Sequence, residues 1–234
     1  MILTWEVSNI DLSPLYISLK VASIATVITI FTGIAAARYV LKIRRFKGFI
    51  DGLFTLPMVL PPTVIGFFLL IILGKNSLLG KLLFQFNITI VFTWIGAIVA
   101  STVVSFPLMY RTVRGALEQF DSNLIFAART LGISEIRIFW RIIIPNVIPG
   151  IMAGTILTFA RALGEFGATI MLAGNIPGKT QTIAVAVYTA VQAGDRAKAY
   201  NWVLIICAMS FTAMILMNSW NNTQYKKSAK RGDF

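Results

Sequence analysis

The stretch AARTLGISEIRIFWRIIIP, Ala127 to Pro145, sets three arginines and a glutamate between two long apolar runs. A bland connector would need only a few polar turn residues. Asp121 or Ser122 just upstream can offer a side-chain oxygen to the unpaired N–H groups of a helix start. Leu124, Ile125, Ala127, Ala128 and Leu131 recur at helical spacing, and Gly132 stands where helices end on a left-handed residue. Ser134 can then open a second helix through Phe139 and Trp140, with Pro145 in its early turns. The stretch therefore reads as a short helix joined by glycine to a rising one. From the residues alone two uses stay open. A thin, alanine-faced helix can enter another protein's groove, or it can lie on lipid headgroups.

The flanking sequence says what kind of molecule carries this element. Of 234 residues, 57% are hydrophobic and 13% charged, against about 45–50% and 25% in soluble domains. The chain is therefore expected to be an all-α polytopic membrane protein. Five apolar runs approach the roughly 20 residues that cross a bilayer: Leu15–Tyr39, Leu53–Leu73, Ile88–Tyr110, Ile142–Leu172 and Trp202–Trp220. A sixth, Ile183–Ala193, is too short to span and reads as a helix lying against the bundle. The first run is too long for the apolar core of a signal peptide, so it is expected to be a retained span.

Charge orients the spans. Fourteen of the 21 lysines and arginines fall after run one (Arg38, Lys42, Arg44, Arg45, Lys47), after run three (Arg111, Arg114, Arg129, Arg137, Arg141) and in the tail (Lys226, Lys227, Lys230, Arg231). Basic loops stay on the cytoplasmic side, which predicts the N-terminus outside and the C-terminus inside. The net charge of +12 is thereby explained by cytoplasmic loops rather than by nucleic-acid binding. The quoted stretch falls in the one long cytoplasmic loop, 111–141, of a single transmembrane domain, 1–234.

Several chemistries are set aside. The chain has no histidine and a single cysteine, Cys207, so an intrachain disulfide is impossible and no metal site is expected. No catalytic residue is expected either. Gly174-Asn175-Ile176-Pro177-Gly178-Lys179-Thr180 imitates the end of a P-loop but has three residues between its glycines where four are needed. It also follows an apolar span rather than a strand.

Two interior features break the apolar pattern. Leu56-Pro57-Met58-Val59-Leu60-Pro61-Pro62 predicts a kinked helix in run two, either lining a path or kinked for packing. In run four, Arg161 and Glu165 stand four apart on one helix face, with Gly164 and Gly167 close by. Intramembrane charges face a bundle interior and point to function by default, and glycines admit a neighbouring helix. Pro57, Pro61, Pro62, Arg161, Gly164, Glu165 and Gly167 are thus candidates for a translocation path or a dimer interface.

The loop spacing resembles the EAA loop of ABC importer permeases: Glu-Ala-Ala, three residues, Gly, nine residues, Ile-x-Leu-Pro. Ala127-Ala128, Gly132 and Ile142-x-Ile144-Pro145 keep every interval, with Phe126 in place of the glutamate and Ile144 in place of leucine. The resemblance implies that Phe126, Ala127, Ala128, Arg129, Leu131, Gly132, Ile142 and Pro145 couple the chain to a separate ATPase. A carboxylate contact at 126 does not carry over. ARALGEFGATIMLAGNIPGKTQT, with LPMVLPPTVIGFFLL and SFPLMYRTVRGALE, resembles the oxyanion branch of that family, molybdate permeases above all.

The resemblance implies a permease subunit that imports molybdate, and tungstate in some members, by alternating access. It implies a homodimer in the bacterial inner membrane, an oxyanion-binding protein outside, and two ATPase copies that carry the ATP and magnesium. This chain would bind no cofactor. The nearest alternative is a sulfate/thiosulfate permease. A more distant one is a secondary transporter without an ATPase, for which the expected internal repeat is not evident.

Overall fold

A computed structural model describes residues 11–43 and 45–229, with side chains described through Ile215 and at Ser219. The basic tail residues used for orientation lie outside the described side chains. The described residues form helices and loops. In order these are α1 (Ser13–Lys42), α2 (Lys47–Val59), α3 (Pro62–Leu73), α4 (Leu78–Gln85), α5 (Trp94–Glu118), α6 (Ser122–Thr130) and α7 (Glu135–Ile138). A π-helical turn (Phe139–Ile143) leads into α8 (Ile144–Leu163), followed by α9 (Gly167–Ala173), α10 (Ile183–Gln192) and α11 (Arg196–Ala229).

The core is a three-helix seam of α1, α5 and α8. Small residues set its closeness, because association inside a bilayer rests on tight packing rather than on expulsion of water. A methyl group at Gly33 of α1 would come within 2.5 Å of Met109 Cγ, and one at Gly154 of α8 within 2.8 Å of Met109 Sδ. Met109 of α5 therefore fills the slot between two glycines, with no exposed surface. One turn below, Gly150 faces Ala116.

Four helical segments are long and apolar enough to cross a membrane: Ser13–Lys42, Trp94–Glu118, Glu135–Leu163 and Arg196–Ile215. The fifth expected span is the pair α2–α3, whose axes turn by 112° across the break between them. The proline run thus produces a sharp corner rather than the expected kink. Pro57 is absorbed inside α2, whereas Leu60 and Pro61 are extended and Pro62 starts α3. Proline restricts the residue before it to extended backbone, so the Leu60-Pro61-Pro62 sequence cannot carry helix through.

Two other expected boundaries also move. Run three begins its helix at Trp94 rather than near Ile88. Asn87 and Phe92 take left-handed backbone (φ 57° and 59°), and Thr93 caps the helix through Gly96 N–H at 3.3 Å. Run four does not continue to Leu172. It breaks at Gly164–Phe166 and restarts as α9. The short run Ile183–Ala193 forms α10, which packs on α11 and α1, and its Ile183 N–H donates to Ser18 Oγ of α1 at 2.8 Å.

The corner of α2–α3 nests against the break between α8 and α9. A Cβ at Gly66 of α3 would meet Ala168 Cα at 2.8 Å and its carbonyl oxygen at 2.9 Å. One at Gly167 would lie 3.1 Å from Pro62 Cβ. Gly66→Leu is therefore expected to force α3 and α9 apart and cost about 1–3 kcal/mol. The check is the thermal unfolding midpoint of the detergent-solubilised chain, with Gly52→Leu, where a Cβ meets nothing within 4 Å, as the unaffected control.

Candidate functional site

The segment 119–145 folds into a stiff elbow at the end of the bundle where α1 and α5 finish. Asp121 Oδ1 accepts from Asn123 N–H at 2.9 Å to start α6. At its other end Gly132 N–H donates to Arg129 O (2.9 Å) and Ile133 N–H to Ala128 O (3.1 Å). With Gly132 at φ +72°, this is the paired-bond Schellman stop that satisfies the last carbonyls of a helix. Ser134 takes the N-cap position of α7. The start and the glycine stop of α6 thus fall where they were expected, whereas Ser134 holds its position without a side-chain cap bond.

A contact the sequence did not announce clamps the elbow. Arg129 Nε and Nη2 donate to Glu135 Oε1 and Oε2, at 2.6 and 3.2 Å, a bidentate fork across the glycine turn. Both side chains are at least half exposed, so the clamp orients more than it stabilises. Arg38 of α1 lies 3.8 Å over the ring of Phe139, fixing the rising helix to the bundle. The π-helical turn follows from Pro145. It lacks an N–H and its ring crowds the carbonyl four residues back, and the widened turn lets Ile144 N–H reach Phe139 O instead.

The elbow shows an apolar surface outward. Leu131 is 79% exposed, Ile136 74%, Trp140 62% and Phe126 58%. Ala127 also faces out, whereas Ala128 is buried within the elbow itself. Of the two alanines only the first is exposed. Ile142 and Pro145 sit in the base of the rising helix rather than on the protruding face.

The interior candidates gather at the nested corner. Glu165 is not on the α8 helix, which has already ended at Leu163. It still meets Arg161, with Nη1 and Oε2 2.8 Å apart, while its Oε1 accepts from Ala168 N–H at 2.8 Å at the start of α9. The Glu165 side chain is 1% exposed and that of Arg161 34%. Glu165 is therefore a counter-ion and helix cap enclosed by its own chain. Pro62 and Gly167 touch across the same seam, Pro61 forms the corner, and Pro57 stands four residues before it in α2.

A third polar cluster had escaped the sequence reading. Asp51 of α2 accepts from Tyr110 OH at 2.8 Å and from Arg114 Nη1. Arg114 Nε also binds Glu118 Oε1 at 3.0 Å, and Lys47 lies 3.6 Å from the same oxygen. This network ties the start of α2 to the end of α5. Its one available signal was Asp51, the lone acid in the run from Lys47 to Leu73.

The P-loop look-alike closes on itself. The N–H groups of Lys179, Thr180 and Gln181 all point to Ile176 O at 2.9–3.2 Å, and Thr180 Oγ1 accepts from Ile176 N–H. A phosphate cradle needs those donors free.

An exposed elbow on a bundle with a buried corner of broken helices is the architecture of an importer's membrane subunit. The chain belongs to the family described as binding-protein-dependent transport system inner membrane component, which matches residues 29–227. It is 43% identical over 207 residues to the molybdenum transport system permease protein ModB of Escherichia coli (strain K12), covering 87% of this chain and 90% of that one. The sulfate transport system permease protein CysT of Salmonella typhimurium (strain LT2) is 35% identical, over 83% and 72%. Among solved structures, the inward-facing MetNI methionine ABC transporter superposes at a TM-score of 0.71 with 14% identity, over 90% of this chain and 94% of that one. That likeness shows the fold, and with the family match it makes the chain a multi-pass, all-α permease of the ABC importer type.

Proposed function

We propose that this chain is the membrane-spanning subunit of an ATP-driven importer of molybdate in a bacterial inner membrane. The observation that carries the importer reading is the elbow, whose clamped, apolar face is exposed among the described residues. A separate ATPase would grip α6 there, one copy for each of two permease subunits, and would hold the ATP and magnesium. Phe126, Ala127, Arg129 and Leu131 would make the contact, while Ala128, Gly132, Ile142 and Pro145 would hold its shape. A binding protein would deliver the oxyanion at the opposite end. The gathering of Arg38, Lys42, Arg114 and Arg129 at the elbow's end of the bundle supports placing the elbow in the cytoplasm.

The passage would run where two copies meet, beside the corner of Pro61, Pro62 and Gly167, since broken helices in a bilayer are tolerated where they are buried in protein or line a cavity. Arg161 reaches the surface near this corner, whereas Glu165 acts from within. The higher identity to the molybdenum permease than to the sulfate permease supports molybdate as cargo. The test is uptake of labelled molybdate by cells carrying the chain with its neighbouring transport genes. Uptake should persist in equimolar sulfate, and abolition by sulfate would transfer the reading to a sulfate permease.

A further inference from the structure

At the end of the bundle opposite the elbow, an open pocket of roughly 760 Å³ lies between the first turns of α1 and α5 and the 176–180 loop. Its polar lining includes Lys20, Asn87, Thr89 and Lys179 and, among the described residues, no carboxylate. Lys20 belongs to the first apolar run, a place where an ammonium group normally has a partner or a function. Its Nζ sits 3.7 Å over the ring of Trp94. Among the described residues neither Lys20 nor Lys179 is in an ion pair. Two cations line one pocket, and no described residue pairs with either.

The rim says what would. Tyr16, Phe92, Ile88 and Ile95 are exposed beside the lysines, Tyr16 by 67% and Phe92 by 60%. A small hydrated oxyanion gains nothing from such a rim. An anion that carries hydrocarbon gains on both counts. Tyr16 and Trp94 stand at the starts of two membrane-crossing helices, where amphipathic rings settle at headgroup depth, and lysine stems lie along apolar surface with the ammonium turned toward the headgroups. We infer that this pocket binds the phosphate head of an anionic phospholipid, with its acyl chains along Tyr16 and Ile95.

The test is native mass spectrometry of the full chain in mild non-ionic detergent, titrated with phosphatidylglycerol and, separately, with phosphatidylcholine. Phosphatidylglycerol should be retained preferentially. Lys179→Ala, in an exposed loop where folding is not at stake, should weaken retention about fivefold, and Lys20→Ala/Lys179→Ala by the product of two such factors. Lys20→Arg/Lys179→Arg should restore it. Equal retention of the two lipids, or no loss in either alanine variant, would overturn the assignment. So would complete displacement of the lipid by millimolar inorganic phosphate, because the pocket would then be a site for free anions.

Discussion

Arg161→Ala is expected to lower the stability of the solubilised chain by about 2–3 kcal/mol, toward the lower end for broken buried pairs because the guanidinium is one-third exposed. The loss comes from what stays behind. The Glu165 carboxylate remains 1% exposed, still capping α9 through Ala168 N–H but with no cation beside it. Adding Glu165→Gln keeps an acceptor for that N–H and removes the stranded charge, so Arg161→Ala/Glu165→Gln should recover more than half of the deficit. The measurement is the unfolding midpoint of the parent and both variants, followed by size-exclusion in detergent. An Arg161→Ala protein as stable as the parent would mean that the pair carries no structural weight.

Gly132→Pro should nearly abolish uptake while the chain still inserts. Proline holds φ near −65° where this position needs +72°, and it removes the N–H that donates to Arg129 O. A misplaced proline costs about 3 kcal/mol, which leaves the native elbow populated about a hundredfold less. Gly132→Ala meets no neighbouring atom within 4 Å and bears only the left-handed backbone cost of about 1–2 kcal/mol, so it should lose about fivefold to thirtyfold in uptake. Membrane levels measured beside molybdate uptake, with ATP hydrolysis by the assembled complex, separate the effects. Normal uptake by the proline variant at normal membrane levels would rule out α6 as the coupling element.

What could be read from the chain was what its local chemistry specifies. Asp121 and Gly132 act on backbone groups within a few residues of themselves, so both ends of α6 came out of the sequence in place. The proline run announced a break for the same reason. Its 112° angle did not follow, because that is set by Gly66 and Gly167 meeting Ala168 and Pro62 from segments a hundred residues apart. Run four looked continuous since nothing in Gly164-Glu165-Phe166 forbids helix, and the break rests on Glu165 capping the next helix. The Asp51–Arg114 network and the Lys20–Trp94 contact depend on helices becoming neighbours. No spacing pattern encodes them.

The slot that Met109 fills between Gly33 and Gly154 has a mechanical consequence. Branched side chains interlocked at that level would key α1, α5 and α8 into one register. An unbranched thioether with three rotatable bonds adapts to its surroundings, and the glycines facing it offer no side chain to lock against. At that one level a change in the tilt of α8 against α5 meets a side chain that can take a new rotamer instead of a branched one held in a socket.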